Sequence, residues 1–262
     1  MELSDFARAY PNAVLGFSGG VDSSYLLYAG LKNGAKWRPV FVRSVFQPAF
    51  ELEDAQRVCR ELDVELTVLD VDILSVPEVR INPENRCYHC KRALFGRLSM
   101  WAAEQGIALL LDGNNASDPP SDRPGMRAAA ELGVRSPLRE AGLTKEDIRC
   151  LSREAGLFTW NKPAYACLAT RITTGTALDV ETLNKVEKGE SALRKLGFSD
   201  LRIRVFHGAA RIQLPADQIV TASAEREKIL AALRPYFPAI LLDLENRPNN
   251  LNSLPHTGKE RT

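Results

Sequence analysis

No stretch of this 262-residue chain approaches the ~18 consecutive apolar residues that a membrane-spanning helix needs. Neither charge is in excess: 34 Lys and Arg stand against 33 Asp and Glu, a net charge of +1. That balance removes the electrostatic argument for a nucleic-acid backbone as partner, and leaves room for small anions that a few local arginines can hold. The first residues carry no basic segment followed by an apolar core, so no secretory signal is read there and the expected compartment is the cytoplasm. Internal repeats and low-complexity tracts are missing. Cysteine is scarce and odd in number, five in all. In a reducing compartment that argues against a disulfide scaffold and for metal or redox chemistry. What remains is ordinary for a globular protein, 45% apolar and 26% charged, with enough chain for one large domain or two modest ones.

The informative stretch runs from Val14 to Ser24. An apolar run, Val14-Leu15-Gly16-Phe17, ends in Ser18-Gly19-Gly20-Val21-Asp22-Ser23-Ser24 and passes into the helical pattern Tyr25-Leu26-Leu27. Strand, tight turn and helix start place free backbone N–H groups and three hydroxyls around a space suited to phosphate. The pattern is neither Gly-x-x-x-x-Gly-Lys-Ser/Thr nor Gly-x-Gly-x-x-Gly. It resembles the PP-loop of the ATP pyrophosphatases, which cleave ATP between its α- and β-phosphates.

Along the chain, helical spacing over 22–33 and 51–62 alternates with apolar strands at 39–43 and 65–70. This predicts βαβ units and a parallel sheet. Residues 73–84, broken by Pro77 and Pro83, read as loop or short helix. Cys87 and Cys90 come directly ahead of a helix over about 91–105. A buried strand at 108–112 runs into a long polar loop, 113–125, where ligands collect in open α/β sheets. Helices follow at 126–132 and at 144–155, the latter opened by Thr144 and Asp147 in a capping box, with an extended stretch at 134–138 between them. Residues 158–174 have little periodicity yet hold Trp160, Lys162, Cys167 and Arg171. From 179 a smaller α+β unit is expected: a helix to 196, a hairpin of 201–206 and 210–214 turning at His207-Gly208, a helix over 222–234 and a strand at 239–243. The boundaries read from this are 1–175, 176–246 and a frayed tail, 247–262.

Cys59 and Cys150 fall inside helical patterns and read as buried small hydrophobes. Cys87-Tyr88-His89-Cys90 lies near a helix N-terminus, where thiolate is favoured. Three uses stay open for it: zinc with His89 or Cys167, a thioredoxin-like redox pair, or an iron–sulfur cluster held by Cys87, Cys90 and Cys167. In Leu201-Arg202-Ile203-Arg204-Val205, period-two alternation puts both arginines on one strand face, either solvated or forming an anion clamp.

These pieces together resemble the LarE family of ATP-dependent sulfur transferases, over about residues 12–244. The matching motifs are Ser18 to Ser23, Asp112-Gly113 with Asp118 and Arg123-Pro124-Gly125, Arg135-Ser136-Pro137-Leu138, Trp160-Asn161-Lys162, Cys167 with Thr170-Arg171, and Leu201 to Val205. The resemblance implies a Rossmann-like PP-loop (adenine nucleotide alpha hydrolase-like) α/β fold with a smaller C-terminal α+β domain. It further implies adenylation of a pyridinium dicarboxylate mononucleotide with release of pyrophosphate, then replacement of carboxylate oxygen by sulfur, on the way to a nickel-pincer cofactor. Ser18, Gly19, Gly20, Asp22 and Ser23 would hold ATP phosphates and Mg²⁺. Ser44, Gly113 and Arg123 would line the nucleotide pocket, and Arg171 would hold phosphate. Cys167 takes the sulfur-donating position, and Arg202 and Arg204 match arginines that bind the substrate's phosphate. The family has a sacrificial form with a single cysteine and an aromatic residue near the position of Cys87. It also has a three-cysteine form carrying a 4Fe–4S cluster, the form that Cys87, Cys90 and Cys167 imply here. The sequence departs from the sacrificial form near Thr221, where that form has an acidic residue. The implied partner is a small molecule rather than a nucleic acid, and family members assemble as homo-oligomers, reportedly hexamers. The competing expectations are a tRNA thiolase, an amidating PP-loop enzyme, and a non-catalytic nucleotide- or zinc-binding protein.

Overall fold

The computed structural model describes residues 1–118 and 124–247. The chain divides into two units, one comprising Met1–Lys162 with Thr174–Val180, the other Pro163–Thr173 with the described residues from Glu181 on. Arg123 and residues 248–262 lie outside the described residues. No helix among those described is long and apolar enough to cross a membrane.

In the first unit the elements are α1 (Leu3–Ala9), β1 (Val14–Gly16), α2 (Val21–Lys32), β2 (Arg38–Arg43), α3 (Ala49–Glu61), β3 (Thr67–Asp70), α4 (Pro77–Arg80), α5 (Arg86–Glu104), β4 (Leu110–Leu111), α6 (Pro124–Glu131), α7 (Pro137–Glu140) and α8 (Lys145–Glu154). The four strands pair in parallel in the order β3-β2-β1-β4. Both faces are covered, as all-parallel sheets require. Val14 packs with Val40, Leu110, Phe95 and Leu98 on one face, while its neighbour Leu15 packs with Leu26, Leu27, Phe41 and Val58 on the other. Strand order reverses between β1 and β4, so the loops leaving those two strands flank the crevice where such folds bind ligands.

The second unit holds α9 (Val180–Lys195) from Glu181 on, β5 (Arg202–Phe206), β6 (Ala209–Gln213), α10 (Ala216–Ala224), α11 (Arg226–Leu233) and β7 (Ile240–Leu242). Strands β5 and β6 are antiparallel and β7 runs parallel to β6. The hairpin turns through His207 and Gly208, both with positive φ of 49° and 79°, the two-residue type that matches strand twist.

Four local readings differ from the structure. Cys87 and Cys90 are not ahead of a helix but inside the first turns of α5. That helix starts early because Arg86 is buried and its Nη1 donates to Asn82 Oδ1 at 2.5 Å. The stretch 134–138 is extended only at Arg135, whose pairing with Leu111 gives way to α7 at Pro137. The expected single helix over 222–234 is two, α10 and α11, the first opening behind Pro215. Cys150 is exposed, whereas Cys59 is buried as expected. On α8 the buried residues are Ile148 and Ser152, and a position two residues from each points the other way. The capping box of Thr144 and Asp147 is formed in both directions.

Candidate active site

In the first unit the turn after β1 brings Ser18 and Ser23 together, their hydroxyl oxygens 3.2 Å apart. Gly20 caps α2 without any side-chain hydrogen bond, so the helix presents its first N–H groups, and the positive end of its dipole, to the turn. Gly19 has φ +65°, and a Cβ there would lie 2.7 Å from the backbone nitrogen of Ala55 on α3. Only glycine meets both demands. Gly113, at the end of β4, comes as close to the other side: a Cβ would stand 3.1 Å from Ser23 N. Gly19→Ala is therefore expected to push the turn off α3 and lower ATP affinity by about tenfold or more, since one left-handed residue alone costs about 1–2 kcal/mol. Calorimetric titration with ATP measures this; wild-type affinity would refute it.

A cavity of about 260 Å³ opens at this turn. Its polar lining includes Ser18, Asp22, Ser23, Lys91 and Asp112, and its apolar wall is made by Val40, Val42, Leu94, Phe95 and Leu98. Hydroxyls and an uncapped helix start suit phosphate, the apolar wall suits a base, and Asp22 and Asp112 are the hard oxygen donors that Mg²⁺ prefers. Asp22 is engaged by Lys145 in an ion pair and accepts from Asn115 Nδ2 at 3.0 Å. Asp112 is buried, which pushes its carboxyl pKa up, although it accepts from Ser136 Oγ at 2.7 Å. Lys162 donates to the carbonyl of Gly19 at 3.1 Å and pairs with Asp54 at 2.5 Å. Ser44 is not among the cavity's walls: its hydroxyl donates to Gln47 Oε1 at 2.7 Å.

Cys87 and Cys90 lie one turn apart on α5, hence on one helix face, with Cys87 exposed and Cys90 half-buried. Cys167 belongs to the second unit. None of the three is in a disulfide among the described residues, and thiolate sulfur is the donor type a cluster takes. Within each unit, among the described residues, no group of three or more His, Cys, Asp or Glu side chains is gathered to hold a metal.

In the second unit Cys167 opens a one-turn 3-10 helix, Leu168–Arg171. Arg171 is buried and spends its donors inside the fold. Its Nε and Nη2 reach the two oxygens of Glu190 at 2.7 and 3.3 Å, and its Nη1 reaches the carbonyl of Ala166 and the hydroxyl of Thr170 at 2.9 and 2.8 Å. Glu190, itself fully buried, also accepts from Tyr165 OH at 2.6 Å and from the backbone N–H of Ile203 at 3.0 Å. One carboxylate thereby fixes both the Cys167 turn and strand β5. On β5, Arg204 donates to Gln213 Oε1 at 2.7 Å and to the carbonyl of Thr170 at 2.9 Å. Arg202 makes no hydrogen bond or ion pair among the described residues; burial, with Arg171, Arg247 and Arg204 nearby, pushes its pKa down to about 10.

Residues 12–79 match the family described as queuosine biosynthesis protein QueC. A pyridinium-3,5-bisthiocarboxylic acid mononucleotide synthase of Lactiplantibacillus plantarum is 34% identical over 219 residues, 83% of this chain and 78% of that protein. The chain belongs to the LarE family, that of this synthase. An uncharacterized Synechocystis protein, slr1717, is 36% identical over 220 residues, 83% of this chain and 81% of its own. A tRNA-specific 2-thiouridylase MnmA of Dichelobacter nodosus is 28% identical over 187 residues, 56% of this chain and 49% of that protein.

As a LarE-family member the chain is an ATP-dependent sulfurtransferase with a PP-loop. Set against the family motif, the structure brings Ser18, Gly19, Gly20, Asp22, Ser23 and Gly113 to one crevice. It puts Cys167, Arg171, Arg202 and Arg204 in the second unit, with Arg171 turned to Glu190. Sequence reasoning missed Lys145, Lys91 and Glu190, and it named Asp112 in a family motif without giving it a role. For Glu190 a signal existed: Leu183, Val186 and Leu193 mark the buried face of α9, and a glutamate seven residues after one and three before another sits in that stripe.

Proposed function

We propose that this enzyme adenylates the carboxylates of pyridinium-3,5-biscarboxylate mononucleotide and replaces one oxygen of each with sulfur, AMP leaving each time, supplying the two thiocarboxylates of a nickel-pincer cofactor. The observation that carries the reading is the bond from Arg204 to Thr170: it ties the turn bearing Cys167 to the strand bearing the anion-holding arginines. The roles divide between the units. Ser18, Ser23 and the first N–H groups of α2 hold the ATP phosphates, with Asp22 beside them in the same cavity for Mg²⁺. Lys145 is placed to release Asp22 and meet charge on departing pyrophosphate. Gly113 lines the nucleotide side, to which the family motif also assigns Arg123 and Ser44, the latter with its hydroxyl turned to Gln47. Arg202 and Arg204 hold the substrate's phosphate, Arg171 supports them from within, and Cys167 presents sulfur. A carboxylate is a poor electrophile until AMP gives it a leaving group, which is why nucleotide loop and thiol belong to one reaction.

Cys87, Cys90 and Cys167 would hold a 4Fe–4S cluster. Bound by three thiolates, it would offer an open iron that can carry an extra sulfide, so that the chain need not consume its own cysteine. The enzyme works in the cytoplasm, as a homo-oligomer in the family's manner. Thiolation of tRNA is a weaker reading: the thiouridylase match covers 49% of that protein, and a net charge of +1 offers little to an RNA backbone.

The test is anaerobic reconstitution with iron and sulfide. Wild type is expected to hold iron and to turn over repeatedly with ATP and the mononucleotide, releasing pyrophosphate and yielding the thiocarboxylate by mass spectrometry. Cys87→Ala should lose the iron and stop repeated turnover. Unchanged iron and turnover in that variant would remove the cluster from the mechanism. Absence of any thiocarboxylate with wild type would remove the substrate.

A further inference from the structure

Asp22 closes a ring of hydrogen bonds with the loop that follows β4. Its Oδ1 accepts from Asn115 Nδ2 at 3.0 Å, and its Oδ2 is paired with Lys145. Lys145 opens α8, and its backbone N–H donates to Ser117 Oγ at 2.9 Å. Ser117 N in turn donates to Asn115 Oδ1 at 2.9 Å, which completes the ring. The ring is also held from outside. Ala116 N donates to the carbonyl of Leu143 at 2.8 Å, and Asn115 N to Asp118 Oδ2 at 3.0 Å.

This ring dictates which way the amide faces. A backbone N–H can only donate, so the Asn115 atom that Ser117 N reaches is the oxygen, and the NH₂ is the end turned to Asp22. Asn115 is 4% exposed and is not among the walls of the nucleotide cavity, whereas Asp22 is. Whatever Asn115 does for a ligand in that cavity therefore passes through Asp22. The two partners of this carboxylate differ in kind. Lys145 brings a positive charge, so it competes with any cation that approaches Asp22. The amide is neutral, and its single bond leaves Oδ1 a second lone pair. A cation can replace Lys145 without disturbing Asn115.

We propose that Asn115 is a positioning residue for Mg²⁺: it fixes the Asp22 carboxylate for the metal that accompanies ATP, and it stays in place when that metal takes over from Lys145. This deepens the proposed function and rests on Asp22 being the metal's carboxylate. Carboxylates that bind metals are themselves oriented by hydrogen bonds, and removing such a donor costs ~10–100-fold in metal affinity.

The experiment titrates the α,β-methylene analogue of ATP into the full chain by calorimetry, in EDTA and over a series of Mg²⁺ concentrations. Wild type, Asn115→Ser, Asn115→Ala and Asp22→Asn are compared. Serine keeps a hydroxyl that accepts from the N–H two residues on, so the turn survives, but it is too short to reach Asp22. Wild type should bind more tightly with Mg²⁺ than in EDTA. Both Asn115 variants should bind as wild type does in EDTA, within about twofold, while the Mg²⁺ concentration giving half of the gain rises about tenfold or more. A wild-type Mg²⁺ requirement in Asn115→Ser overturns the proposal. So does equal weakening with and without Mg²⁺, or a loss in Asn115→Ala that serine restores, since either makes Asn115 a prop of the loop. Asp22→Asn should abolish the gain. If it keeps the gain, or if wild type shows none, Asp22 is not the metal's carboxylate and the underlying assignment falls. If Asp22→Asn loses the gain and Asn115→Ser keeps it, that assignment stands and the role of Asn115 alone falls.

Discussion

Cys167→Ser is expected to lower sulfur transfer on the order of 10⁴-fold or more, the scale of deleting a reacting group, while pyrophosphate release from ATP continues. Serine keeps the size of the side chain and its place at the head of the 3-10 turn, which Arg171 and Arg204 hold by donating to the carbonyls of Ala166 and Thr170 and to the Thr170 hydroxyl. The groups around ATP belong to the other unit. A pyrophosphate assay beside mass spectrometry of the mononucleotide separates the two half-reactions. Thiocarboxylate formed at the wild-type rate would remove Cys167 from the chemistry. Loss of both half-reactions together would make it a structural residue.

The second large effect is expected at Glu190→Gln. Glu190 and Arg171 both have fully buried side chains. The amide keeps the shape but turns an NH₂ toward Arg171, Tyr165 or Ile203 N–H, all of which donate. A buried guanidinium left without its counter-charge costs about 3–5 kcal/mol, which for a unit of this size lowers the melting temperature by about 12 °C or more. The double variant Glu190→Leu with Arg171→Leu should recover much of that loss, because an apolar pair can replace a buried ion pair. It should not recover the geometry of residues 166–170, so Cys167 should react with iodoacetamide faster than in wild type in both variants. Melting of Glu190→Gln within about 1 °C of wild type would contradict the assigned role.

Local chemistry made the first half of the site readable. The glycines and hydroxyls between Gly16 and Ser24 have few other uses at the end of an apolar strand, and Thr144 with Asp147 announces a helix start by itself. The second half depends on partners far apart in sequence. Arg171 reads as a phosphate ligand until Glu190, on another helix, is seen to take it. Arg202 and Arg204 look alike in the strand, and only the β5–β6 register and Thr170 show one tied and the other free. Cys150 shares helical spacing with Cys59, and tertiary packing buries one and exposes the other. Lys145 stands one residue beyond a cap, and nothing in that position foretells a pairing with Asp22 123 residues away.

The way the chain divides between the units has a consequence for its manufacture. It enters the second unit at Pro163, returns to the first at Thr174 and leaves again at Glu181. The returning stretch is stitched down by Gly175 N to the carbonyl of Asn82 and Leu178 N to that of Arg80, each at 2.8 Å. A cut at 162 strands that stitch, and a cut at 173 separates Cys167 from the helix and sheet that hold it, so no single break leaves two complete pieces. On the ribosome, Arg171 is made 19 residues before Glu190, a wait of about one to four seconds at ordinary synthesis rates. For that interval the sulfur-bearing turn has no counter-charge and no strand to lie against.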